Sequence, residues 1–164
     1  HGDARRALDL LRIAGELAER NGSKKVLLKH IDEANSKIER DKILDVVKSE
    51  PKQFQLVLYS IIKLSEKRKN PQTTLGKNNR EKNNSLFTGD VYNYYEELCR
   101  KYKMEVLTQR RVSDIIQEFD MLGIINVRVI SKGRGGRMRE IKIAISNNII
   151  DKVKEIIEES LNYN

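Results

Sequence analysis

Residues 125–145, INVRVISKGRGGRMREIKIAI, decide the fold because they place a basic turn between two strand-like patterns. Isoleucine and valine recur at every second position before the turn and again after it, which is the period of a half-buried strand. Residues 131–137 contain three glycines, which let the chain reverse its direction sharply. The pattern predicts a β-hairpin with a cationic tip.

The positive charge of the chain is concentrated in this hairpin. The 164 residues include 32 Lys and Arg and 24 Asp and Glu, so the net charge is +8. Residues 1–50 hold 11 basic and 10 acidic side chains, whereas residues 51–164 hold 21 and 14. Residues 128–142 alone contain six basic side chains and one acidic one, Glu140. A solvated surface usually mixes its charges, so the cluster favours a polyanionic partner, either nucleic acid or an anionic membrane surface.

The composition argues against several classes of protein. Cys99 is the only cysteine, which excludes an internal disulfide, and His1 and His30 are the only histidines, so a metal site or catalytic triad is not expected. The phosphate-loop patterns GxxxxGKS and GxxxxGKT are absent, and the glycines of the hairpin join two strands instead of opening a helix. Neither a run of about 18 apolar residues nor a signal-peptide pattern is present. We therefore expect no catalytic activity, no metal and no membrane partner for this chain.

Helical periodicity fills most of the remaining sequence. It predicts helices at residues 3–20, 28–37 (continuing or restarting through 38–47), 53–67, 90–102, 108–122 and 148–161. Thr88 and Thr108 are the predicted caps of the helices that follow them. Pro51 disfavours helix at the residue before it and divides the chain into predicted domains 1–50 and 51–164. Residues 69–86 are polar, rich in asparagine and without periodicity, which predicts an exposed loop.

The order of these elements predicts the fold class. From residue 53 the order is helix, helix, helix, strand, basic hairpin, strand, helix. This is the layout of a winged-helix domain, the helix-turn-helix variant that carries a β-hairpin wing. The predicted class is mainly α with a small β-hairpin.

In a helix-turn-helix, the second helix enters the major groove of DNA by its N-terminal residues. Here that helix begins at Thr108, and its outer face carries an acidic residue, Asp114, beside polar and basic ones. Arginine pairs with guanine, glutamine pairs with adenine, and hydroxyl groups suit phosphates. Arginines at a wing tip enter a narrow minor groove or contact the backbone. The predicted DNA-binding residues are Thr108, Gln109, Arg110, Arg111, Ser113 and Gln117 in the helix, and Lys132, Arg134, Arg137 and Arg139 in the hairpin.

Two other groups of residues are interpreted structurally. The helix at residues 90–102 carries Cys99 and four tyrosines at helical spacing, which is typical of core packing. His30 is interpreted as a surface or half-buried helix residue without a partner.

Residues 2–12, GDARRALDLLR, resemble the sensor-2 segment of AAA+ ATPases, and more specifically that of the archaeal origin-recognition and cell-division-control replication initiators. In that family a helical lid follows the ATPase core, and a winged-helix domain follows the lid. The resemblance implies that residues 1–50 are the C-terminal part of the lid and residues 51–164 are the winged helix. It also implies that Arg5 is the sensor-2 arginine, which reaches the γ-phosphate of ATP bound by the preceding core.

The same resemblance implies a function in DNA replication. The chain would be the C-terminal piece of a longer protein and would bind duplex origin DNA without a cofactor of its own. The full-length protein would bind ATP or ADP with Mg²⁺, recognise origins and load the replicative helicase. Its implied partners are double-stranded DNA, the helicase and other initiator subunits, and its implied location is cytoplasmic and chromosome-associated.

Two alternative functions remain. The winged helix could serve mainly as a protein-interaction module for the replicative helicase, or the chain could be a winged-helix transcription regulator that dimerises through its N-terminal helices. The basic hairpin argues against the first alternative, and the GDARR motif argues against the second.

Overall fold

The computed structural model describes residues 2–69, 85–131 and 137–162. The chain forms two compact units, His1–Val46 and Val47–Asn164. The division lies a few residues before the predicted limit at Pro51, and the domain limits 1–50 and 51–164 stay predictions.

The first unit contains helix α1 (Gly2–Arg20) and most of helix α2 (Leu28–Ser49). α1 ends where the sequence predicts, because Gly22 takes a left-handed conformation (φ +64°) and Ser23 N donates to Ala18 O at 2.9 Å. The predicted apolar stripe of α1 is only partly buried: Ala14 and Ala18 are buried, but Leu8 is 69% exposed. α2 is one continuous helix, so residues 38–47 continue it.

The interpretation of His30 as a partly exposed residue without a partner is wrong. Its side chain is fully buried, and its Nδ1 accepts a hydrogen bond from Leu27 N at 3.1 Å. His30 is the third residue of α2, so the ring caps a backbone amide at the start of the helix.

The second unit has the element order of a winged helix. Its elements after α2 are α3 (Lys52–Lys69), β1 (Leu86–Phe87), α4 (Thr88–Tyr102), α5 (Gln109–Met121), β2 (Ile125–Ser131), β3 (Arg137–Ile143) and α6 (Asn147–Asn162). The prediction of a mainly α fold with a small β-hairpin is confirmed, and strand β1 is an addition to it.

The three strands form one antiparallel sheet in the order β1-β3-β2. Ile141 of β3 lies opposite Val127 of β2 on one side and opposite Leu86 of β1 on the other. Leu86 was predicted to lie in the polar loop, but it is buried against the sheet. The second strand of the hairpin begins at Arg137, earlier than its apolar alternation indicates, so Arg137 and Arg139 are strand residues and not part of the turn.

Helix α3 is the centre of the second unit. Helical periodicity predicts one buried and one polar face for this helix, but residues 55–62 are buried without interruption, so the prediction is wrong for this stretch. The reason is that α4, α5, α6 and the sheet all pack against α3. Its buried polar side chains bond to nearby carbonyls: Gln55 Nε2 donates to Val47 O at 2.9 Å, and Ser60 Oγ donates to Leu56 O at 2.8 Å.

Two details of the helix-turn-helix differ from prediction. Thr88 is the first residue of α4 and not its cap, and the Asp90 carboxylate accepts from the amide of Phe87 at 3.2 Å instead. Leu122 is the last residue of the predicted helix at 108–122, but α5 ends at Met121 and the chain turns at Gly123, whose φ is +72°, so Leu122 is 44% exposed.

Among the described residues, no helix is both long and apolar enough to cross a membrane. The described part of the chain also contains no group of three or more His, Cys, Asp or Glu residues that could hold a metal ion.

Candidate nucleic-acid interface

Helix α5 presents a polar face because its apolar face is buried. Thr108 caps the helix as predicted, with its side-chain oxygen accepting from Arg111 N at 3.3 Å. The side chains that face the core are Val112, Ile115, Ile116 and Phe119. The opposite face, which includes Gln109, Arg110 and Asp114, is exposed.

The turn before α5 is held by hydrogen bonds to α3 and α4. Tyr95 Oη donates to Gln53 Oε1 at 2.5 Å and accepts from Leu107 N at 3.1 Å. Gln53 Nε2 donates to Glu105 O at 2.7 Å. Burial raises the pKa of the Tyr95 hydroxyl, so the group stays protonated and able to donate. The tyrosine was predicted to pack in the core, which it does, but its hydroxyl also fixes the position at which α5 begins.

The start of α5 and strand β3 line one open groove of about 520 Å³. Gln109, Arg110, Ser113 and Asp114 come from α5, and Arg137, Met138 and Arg139 come from β3. Phe87 at the end of β1 and the first two residues of α4, Thr88 and Gly89, complete the lining. The structure thus brings five of the predicted DNA-binding residues onto one surface, although they lie up to 30 positions apart in the sequence.

Two of the other predicted residues, Arg111 and Gln117, do not line the groove. The guanidinium of Arg111 lies over the Phe54 ring at 5.3 Å from its centroid, and its Nη1 is 3.8 Å from Glu118 Oε1. Arg111 therefore contacts α3 and its own helix and does not line the groove. Gln117 Nε2 donates to Asp120 Oδ2 at 3.4 Å, one turn further along α5. Lys132 and Arg134 lie outside the described residues.

A polar cluster links the start of α4 to α3 and β3. Arg68 Nη2 lies 2.7 Å from Asp90 Oδ2, and Arg68 also donates to the carbonyl of Ser85. Ser85 Oγ donates to Glu140. This hydrogen bond is the main cause that lowers the pKa of Glu140, with smaller contributions from Lys142 and Arg128. Glu140, the single acidic residue of the hairpin, is thus charged and has a side chain that is only 13% exposed. Arg137 and Arg139 are exposed to solvent.

Arg5 lies in the first unit and is described separately from the groove. It is exposed near the start of α1, and it makes no ion pair with any residue that the structure describes. Its neighbour Arg6 is engaged, because Arg6 Nη2 lies 3.4 Å from Asn35 Oδ1 and 3.6 Å from Glu39 Oε1 of α2. Of the two adjacent arginines, only Arg6 has an ion-pair partner among the side chains that the structure describes.

Comparison with known families matches both units. The model described as "Cdc6 AAA+ ATPase-type lid domain" matches residues 1–36, and the model described as "CDC6, C terminal winged helix domain" matches residues 77–153. An ORC1-type DNA replication protein of Pyrococcus furiosus is 48% identical over 153 residues, which cover 93% of this chain and 33% of that protein. The chain belongs to the Orc1/Cdc6 family of DNA replication proteins. The family resemblance of residues 2–12 is thereby confirmed.

Two further Orc1/Cdc6 proteins show the extent of the similarity. ORC1-type DNA replication protein 1 of Sulfurisphaera tokodaii is 46% identical over 152 residues, which cover 93% of this chain and 35% of that protein. The structure of the Aeropyrum pernix ORC1 protein in complex with DNA matches with a TM-score of 0.75 and 37% identity, over 97% of this chain and 37% of that one. The chain spans about a third of the length of the curated relatives it matches.

Proposed function

We propose that this Orc1/Cdc6 chain binds the duplex DNA of a replication origin through its winged helix. Helix α5 lies in the major groove, and the arginines of β3 contact the sugar-phosphate backbone or the adjacent minor groove. The observation that carries the proposal is the shared groove, in which Gln109 and Arg110 face the same space as Arg137 and Arg139.

The chemistry of the groove suits duplex DNA. Arginine and glutamine at the start of a recognition helix have the donors and acceptors that read guanine and adenine edges. The exposed arginines of β3 supply the charge that neutralises phosphates. The similarity to Aeropyrum pernix ORC1, which was solved in complex with DNA, supports the same type of ligand here.

For the full-length protein, we propose an ATP-regulated initiator that binds origins and loads the replicative helicase. Arg5 would contact the γ-phosphate of ATP, held with Mg²⁺ by an ATPase core, because a guanidinium binds phosphate oxygens in a bidentate manner. Its exposure and its lack of an ion pair among the described residues support this role. Other initiator subunits would be further partners.

A salt titration tests the DNA proposal. The wild-type chain and the double variant Arg137→Ala/Arg139→Ala are titrated with one duplex at several salt concentrations. We expect the double variant to bind more weakly on every duplex. The slope of log K against log salt should become shallower by roughly one unit for each phosphate that the variant no longer neutralises, because fewer counterions are released.

The matched control is Arg100→Ala/Lys152→Ala, which also removes two exposed positive charges but none that line the groove. It should keep the wild-type slope. If the groove variant and the control show the same affinity and slope, the groove does not bind DNA, and the protein-interaction module takes the place of this proposal.

A further inference from the structure

Asp114 is the one carboxylate among the described residues that line the groove. It is exposed, and it forms no hydrogen bond or ion pair with the described residues. Arg110 lies four positions earlier on the same helix, a spacing at which an ion pair can form, yet no such pair is present between these two described side chains. The carboxylate is therefore available to a ligand.

The position of Asp114 gives it no evident role in the fold. An acidic residue stabilises a helix when it lies in the first turn, where it meets free amides and the positive end of the helix dipole. Asp114 is the sixth residue of α5, beyond that turn, and the cap is Thr108. Its side chain also lies on the face opposite the core residues.

On a surface that binds duplex DNA, a carboxylate repels phosphates and so weakens binding that is independent of sequence. It is an acceptor only, so among base edges it can pair with an amino group alone. In the major groove, cytosine presents its N4 amino group, whereas adenine presents an amino group beside the N7 acceptor, which repels a carboxylate. The favourable partner is cytosine.

We propose that Asp114 is a specificity-determining residue that accepts a hydrogen bond from the amino group of a cytosine in the major groove. The proposal rests on the proposed function, since it requires that the groove bind duplex DNA. Arg137 and Arg139 supply affinity for any duplex, and Asp114 restricts that affinity to registers that place a cytosine beside it.

Asp114→Asn tests this role because it keeps the size of the side chain and changes its hydrogen-bonding pattern. Asparagine pairs with N6 and N7 of adenine. Duplexes are selected from a randomised pool by the wild-type chain and by the variant, and both are then titrated with the wild-type consensus and a scrambled duplex. We expect one cytosine of the consensus to become adenine in the variant selection. The variant should also bind scrambled DNA more tightly and lose roughly 5- to 100-fold in its preference for the wild-type consensus.

The control is Glu155→Gln on α6, which removes one exposed negative charge from a helix that contributes nothing to the groove. This control should select the wild-type consensus and keep the wild-type preference for that consensus over scrambled DNA. If Asp114→Asn selects the same consensus with the same preference as this control, the inference is wrong while DNA binding stands. If the wild-type chain binds no duplex at all, the proposed function fails, and the inference fails with it.

Discussion

The hydrogen bond between Tyr59 and Glu158 makes the packing of two helices depend on pH. Tyr59 Oη on α3 donates to Glu158 Oε1 on α6 at 2.6 Å, and Lys63 Nζ lies 3.5 Å from the same oxygen. The hydrogen bond is the main cause that lowers the pKa of Glu158 below its ordinary value of 4.5. The charged carboxylate therefore stabilises the fold above about pH 4.5, and this stabilisation is lost as the pH falls through the lowered pKa.

We expect Tyr59→Phe to lower the free energy of unfolding at pH 7 by about 1 kcal/mol, since the hydrogen bond that it removes is charge-assisted but only part-buried. The difference from wild type should shrink at acid pH, where Glu158 is protonated. Urea unfolding of both proteins at pH 7 and at acid pH measures this difference in stability. Tyr102→Phe, which removes a hydroxyl without a carboxylate partner in the described structure, should show the same small difference at both. A Tyr59→Phe difference that does not change with pH would contradict this account.

Some residue roles could be predicted from the sequence and others could not. Gln109 and Arg110 lie in the groove because the apolar stripe of α5 fixes which face is exposed. Arg111 is adjacent to them, but its direction depends on Phe54, a residue 57 positions away in another helix. The hydrogen bond of His30 likewise depends on the local geometry at the start of α2, which periodicity does not predict.

At the scale of elements, the turn between α4 and α5 decides where the recognition helix begins. Tyr95 contributes two hydrogen bonds to this turn, with Gln53 and with the amide of Leu107. Tyr92 contributes one, since its Oη donates to Leu107 O at 3.2 Å. The two tyrosines lie on one helix and differ in the number of hydrogen bonds that they form with the turn, so their Phe variants can be compared directly.

We expect Tyr95→Phe to lower the free energy of unfolding by about 2 kcal/mol, because it leaves a part-buried amide and a glutamine oxygen without a partner. Tyr92→Phe should cost less than about 1 kcal/mol. Amide hydrogen exchange gives a local readout: the Leu107 amide should exchange faster in Tyr95→Phe, relative to the buried Val112 amide of α5. Equal losses of stability in the two variants, with Leu107 exchange unchanged, would show that the turn is held by other interactions.

The positions of long elements with a clear period were predictable, whereas strand β1 and the complete burial of part of α3 were not. Most of the helices that the structure describes, and the hairpin, follow from periodicity because each has one buried face over several turns or alternations. Strand β1 has two residues, Leu86 and Phe87, which are too few to show a period. α3 shows no polar face at residues 55–62 because neighbours surround it, and this is a property of the tertiary structure.

At the scale of the whole molecule, the family could be recognised because its lid motif is contiguous and its elements follow a fixed order. The groove could be anticipated only in part. Its composition depends on the pairing of β3 with β1 and β2, which places Arg137 and Arg139 beside a helix that begins nearly 30 residues earlier.

The most direct test of the account is to map the DNA-binding surface by NMR on the isotope-labelled chain. A duplex selected by the wild-type chain is added, and the backbone amide signals are followed. We predict that the largest changes occur at the groove residues 109, 110, 113, 114 and 137–139, and that residues 147–162 of α6 change little. If the amide signals of α6 change while those of the groove residues do not, duplex DNA binds elsewhere, and the central claim is contradicted.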